Sequence, residues 1–181
     1  LRSTLQFNKE MLGEETVNKF IDQLAGECHE VFSHIILDTN WYPLDCLTDF
    51  TELLFNTILG KNKDTLKKGS KLIAEKQVTG IYKTLLTGGS IESFVKRINS
   101  INERYYQGVE VKTEYIDTNK LKVKYLGFEK KYHLHEIITM AWWEVVFENL
   151  GAKKVTTKIT KSLLEGMDYF EFVITWEKTS P

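Results

Sequence analysis

Apolar positions along residues 132–151, YHLHEIITMAWWEVVFENLG, fall on two sides of a helix. At about 100° per residue, Leu134, Ile137, Ile138, Ala141, Trp142 and Val145 make one broad face. Met140, Trp143 and Phe147 make a narrower stripe nearly opposite, between Glu136 and Glu144. A helix apolar on two sides has to be covered on both.

Before this segment the pattern is helical. A short helix is expected over residues 3–12. A second runs over residues 14–26, acidic at its start, with Val17, Phe20, Ile21 and Leu24 in phase and Gly26 at its end. Residues 28–44 read either as a helix or as a short buried strand, and Pro43 sets a boundary. Leu47, Phe50, Leu54 and Ile58 suit a helix closed by Gly60. Asp64 can cap a long helix carrying Leu66, Ile73, Ile81 and Leu85, which stops at Gly88-Gly89; Gly69, Ser70 and Gly80 inside it mark close approach of another element. Ser90 caps a helix over residues 91–106 with Phe94, Val95, Ile98 and Ile101 on one side.

At Gly108 the period drops from about 3.6 residues to two. Val109, Val111, Thr113 and Tyr115 alternate with charged residues, as do Leu121, Val123 and Tyr125 after a turn at residues 117–119. A second hairpin follows the apolar helix, with Val155, Thr157 and Ile159, then Phe170, Phe172, Ile174 and Trp176, turning around Gly166. The order predicts an α+β fold in one domain: a helical part over residues 1–106, then ββ-α-ββ over 107–181 with a four-stranded antiparallel sheet. Leu134, Ile138, Ala141 and Val145 are expected to pack on the sheet, and the Met140, Trp143, Phe147 stripe to face the helical half.

Composition narrows the partners. Lysine plus arginine nearly balances aspartate plus glutamate, 24 against 25, which argues against nucleic acid and against a charged membrane surface. No apolar run is long enough for a membrane span, and no signal peptide opens the chain, so a cytoplasmic location is the default. Cys28 and Cys46 are read as buried free thiols in a reducing compartment.

Three stretches carry a family resemblance: LGEETVNKFIDQLAG, WYPLDCLTDFTELL and EIITMAWWEVVFENLGAKKVTTKITKSLLEGMDYFEFVITW. Together they resemble the superfamily of heme nitric oxide/oxygen binding (H-NOX) domains, 4-vinyl reductase domains and vesicle-tethering TRAPP subunits, with 4-vinyl reductase-type bacterial regulatory domains as the nearer likeness. The resemblance implies a regulatory ligand-binding or interaction module with an apolar cavity between the helices and the sheet. H-NOX domains hold heme through a histidine on the helix before the first hairpin and through a Tyr-x-Ser-x-Arg motif. Residues 91–106 contain no histidine, and that motif is absent, so heme is disfavoured. Zinc is disfavoured as well, since no cysteine follows Cys46, and no cofactor is expected.

The remaining chemistry is sparse. His133 and His135 beside Glu136 are metal-ligand types, yet i and i+2 on a helix point apart. Cys28 next to His29 is adjacency in sequence only, and no carboxylate pair assigns acid and base roles, so no catalytic residue is assigned and a non-enzyme is favoured over an enzyme. Gly88-Gly89-Ser90 lacks the context of a phosphate loop. Met140, Trp143 and Phe147 are either core or the wall of a ligand pocket, with Tyr82, Phe94, Trp41 and Tyr42 as opposite walls. The leading expectation is a sensory domain that binds a small, mainly apolar ligand and signals to a partner or fused domain. A dimerisation or adaptor module without a ligand is the alternative. A heme gas sensor or an apolar-cavity enzyme comes third.

Overall fold

The computed structural model describes residues 1–80, 83–86 and 89–177. The chain takes an α+β fold, in two compact units that meet in sequence between Gly69 and Ser70.

The first unit contains α1 (Arg2–Leu12), α2 (Glu14–Ile21), α3 (Gly26–Ser33) and α4 (Leu44–Thr57). Val17, Phe20 and Ile21 of α2 pack with Phe32 of α3 and Cys46, Phe50 and Leu54 of α4. Three expectations change here. The second helix ends at Ile21, and Gly26 opens the next one. The ambiguous segment begins as helix α3 and continues as a loop. Cys28 and Cys46 are not free thiols: α3 and α4 bring their Cα atoms to 4.8 Å, within the roughly 4.4–6.8 Å that a bridge requires, and they form a disulfide. The inference of a reducing compartment loses its basis with them.

Helix α5 (Lys63–Thr79) crosses the unit boundary. Its first turn is capped by Asn62, whose Oδ1 accepts from the amides of Asp64 and Thr65, and not by Asp64. Gly69 faces open space, and a Cβ at Gly80 would come within 2.9 Å of the Lys76 carbonyl, so neither glycine records the approach of another element. Helix α6 (Lys83–Leu86) follows; Ile81, Tyr82 and Gly88 lie outside the described residues.

In the second unit Ser90 caps α7 (Ile91–Asn102) by accepting from the Ser93 amide at 3.2 Å. Strands β1 (Glu110–Asp117), β2 (Lys120–Leu126), β3 (Lys153–Lys161) and β4 (Tyr169–Glu177) form an antiparallel sheet in the order β1-β2-β4-β3. Leu121, Val123, Tyr125, Phe170, Phe172, Ile174 and Trp176 line its dry face, as the alternation predicts. Tyr115 is the exception, since β1 is an edge strand and its far end stands exposed. That edge is partly closed by α7: Asn99 Oδ1 accepts from the Val111 amide at 3.0 Å, and Asn102 Nδ2 donates to the Val109 carbonyl at 2.7 Å.

Helix α8 (His133–Asn149) lies across the dry face, with the opposite rotation to the one expected. Trp143 meets Phe172 with ring centroids 6.0 Å apart, and Phe147 meets Trp176 at 5.0 Å. The Met140, Trp143, Phe147 stripe therefore faces the sheet, while Leu134, Ile138, Ala141 and Val145 lie on the other side of the helix. The glutamates that flank the stripe, Glu136 and Glu144, mark no wet edge. Both are buried, Glu144 bonded to β3 and Glu136 to the β3–β4 connection. Glu144 accepts from the Thr157 amide at 2.8 Å and from its hydroxyl, and Glu136 accepts from the Leu163 amide at 2.6 Å and from Ser162 Oγ.

Candidate functional site

The chemistry of the second unit gathers where α8, α7 and the sheet meet. Strand alternation puts Tyr125 and Phe172 inward, and α8 carries Trp143 onto both. Trp143 is fully buried, and its indole N–H donates to Tyr125 Oη at 2.9 Å. Burial pushes the Tyr125 phenol well above its usual pKa, because a phenolate would have little solvation there. Phe94 of α7 closes the cluster, edge-on to Trp143 at 5.4 Å and to Phe147 at 6.3 Å.

A second polar pair lies at the start of α8. His135 Nε2 is 2.6 Å from Tyr106 Oη, and its ring packs against Phe128 at 5.3 Å, which in turn meets Tyr125 and Phe170. Burial lowers the His135 pKa to about 4, so the ring is neutral at pH 7. Farther along the helix, Lys71 Nζ lies 2.8 Å from Glu144. Desolvation works against its charge, but the bond to Glu144 and the charges of Glu144 and Glu148 hold its pKa above the ordinary value.

Of the residues expected to line a pocket, Phe94, Trp143 and Phe147 come together in this unit, and Met140 is buried on the same helix. Trp41 and Tyr42 belong to the first unit, Trp41 exposed and Tyr42 accepting from the Leu37 amide at 2.9 Å. Tyr82 lies outside the described residues. His135 and Glu136 turn to different partners, Tyr106 and Ser162, and share no centre. Sequence reasoning passed over Tyr106, placed Tyr125 on its strand without a partner, and weighed His135 only as a metal ligand. The available signal was a tyrosine on the dry side of a strand, which needs a polar partner once buried.

No protein-family model and no curated protein matches the sequence. Solved structures match over nearly its whole length. An H-NOX protein from K. algicida, in the unliganded Fe(II) state, superposes with a TM-score of 0.74 at 15% identity, covering 99% of this chain and 96% of that one. An H-NOX protein from S. oneidensis in the Fe(II)NO state gives 0.73 at 11% identity, over 97% and 98%. A structure solved in work on heme redox potential and porphyrin distortion gives 0.69 at 8%, over 99% and 94%.

The chain has the H-NOX fold. This overturns the expectation of a chain with no cofactor, since structures that share the fold from end to end are of iron- and heme-bearing proteins.

The donor set limits how a heme could be held on this fold. Heme iron is held by imidazole, thiolate, thioether or phenolate donors. Helix α7 carries no such donor, and its buried polar side chain, Asn102, is spent on Val109. Both cysteines are in the disulfide. His135 is the buried one of the four histidines, and its Nε2 is taken by Tyr106. As they stand, these side chains do not fit a heme ligated from α7.

Proposed function

We propose that this chain is a sensory domain built on the H-NOX fold that binds a small ligand and reports its occupancy to a partner or fused domain. The observation that supports it is the likeness to H-NOX structures over nearly the full length of both chains. Heme is the first ligand to expect, because the proteins that share the fold hold it. The finer reading is a pocket closer to the 4-vinyl reductase type, taking a mainly apolar ligand against Met140, Trp143, Phe147 and Phe94.

Signalling follows from packing. A ligand that prefers one arrangement of α8 against the sheet shifts the population toward it by its differential affinity. The buried glutamates suit such a mechanism. Glu136 and Glu144 tie α8 to the β3–β4 connection and to β3, so movement of the helix is carried into the sheet. A hemin titration of the full chain tests the proposal. A saturable Soret band with a raised melting temperature is the expected result, and a flat response to hemin and to a library of apolar compounds would remove it.

A further inference from the structure

The loop between α3 and α4, in the first unit, is used by none of this. Across residues 34–43 it carries Ile35 at 86% exposure, Leu37 at 49% and Trp41 at 53%. These are three of the nine large apolar side chains exposed among the described residues, gathered within seven positions. Single exposed apolar residues need no explanation, but a cluster does.

The loop is also held in shape. The Cys28–Cys46 disulfide closes its base. Inside it the Leu37 amide donates to Tyr42 Oη at 2.9 Å, and the Asn40 amide to the Leu37 carbonyl at 3.2 Å. Arg2 pairs with Asp38 at 2.9 Å. Ile36, between the two exposed aliphatics, is buried in the helical core and fixes which side chains point outward. Ordering such a loop on binding costs little, because it is already ordered.

Charge says what kind of surface suits it. Residues 20–60 contain no lysine or arginine and seven carboxylates: Asp38, which pairs with Arg2, and Asp22, Glu27, Glu30, Asp45, Asp49 and Glu52. An anionic membrane or nucleic acid is repelled by such a segment; a basic protein surface is steered toward it.

We propose that residues 34–43 form a preformed protein-docking loop, in which Ile35, Leu37 and Trp41 enter an apolar pocket rimmed by lysine and arginine on a partner protein. A tryptophan anchor within a charged rim is the usual make-up of a binding hot spot. This assignment goes beyond the ligand reading and stands without it.

Two synthetic helical peptides serve as probes, each with one leucine face, one with lysines and the other with glutamates on its polar face. In nuclear magnetic resonance titrations of the isotopically labelled full chain, the lysine peptide should shift amides of residues 34–43 and bind about tenfold more tightly than the glutamate peptide. Ile35→Ser/Trp41→Ser should weaken that binding about tenfold with an unchanged melting temperature. If the double variant melts early, Trp41→Gln is read in its place. Equal binding of the two peptides, equal binding by variant and parent, or shifts centred elsewhere would overturn the proposal. So would a dimer in sedimentation that the variant abolishes, which makes a second copy the occupant, or preferential binding to phosphatidylserine vesicles.

Discussion

Tyr106 Oη lies 2.6 Å from Nε2 of His135, and the imidazole is buried among aromatic rings. The ring is therefore kept neutral, with its pKa lowered to about 4 by burial.

Stability should fall in mild acid on this account. The unfolded chain takes up the His135 proton near the ordinary pKa of about 6.5, whereas the folded chain resists it until about pH 4. The unfolded state thus binds more protons between those values, and stability drops as pH falls through that window. The full loss is about 3 kcal/mol. Urea unfolding at pH 7 and at pH 4.5 measures it, and His135→Gln should flatten that part of the profile.

The Trp143–Tyr125 bond makes a separate test. Tyr125→Phe leaves the indole N–H buried without its acceptor and should cost about 1–3 kcal/mol. Combined with Trp143→Phe in a double-mutant cycle, it should give a coupling of about 1 kcal/mol. No coupling would mean the bond is not made in solution.

Glu136 should behave as a structural carboxylate. Glu136→Ala strands the Leu163 amide and Ser162 Oγ at the β3–β4 connection, at a cost of about 1–3 kcal/mol. Hydrogen exchange should rise first at residues 162–165 if that tie is what holds the connection.

The disulfide closes a loop with a sequence separation of 18. Reduction, or Cys28→Ser, should destabilise the first unit by about 3 kcal/mol through the freedom returned to its unfolded chain. Denaturant unfolding with and without reductant reads this directly.

Much of this architecture is legible in local pattern. Val123 and Phe172 had to face inward because strand side chains alternate, and Ser90 had to cap α7 because its hydroxyl stands three residues ahead of the Ser93 amide. What failed were properties that two distant segments decide together. Both sides of α8 are apolar, so its rotation depended on whether Glu136 and Glu144 met water or the amides of Leu163 and Thr157, and that lies in the sheet. Whether Cys28 reaches Cys46 depends on how α3 packs against α4. In the candidate site, Phe94, Trp143 and Phe147 were visible as an aromatic stripe and a neighbouring helix, but the partners of Tyr125 and His135 were not, because hydrogen bonds across elements leave no period in the sequence.

The central claim is that this H-NOX-fold chain holds a small ligand. The most direct measurement compares native with denaturing mass spectrometry of the full chain after expression with excess heme. A native mass larger by one small molecule is predicted, heme with its Soret band first and an apolar compound in the finer reading. Equal native and denatured masses, with no Soret band and no rise in melting temperature on adding hemin or apolar compounds, would contradict it.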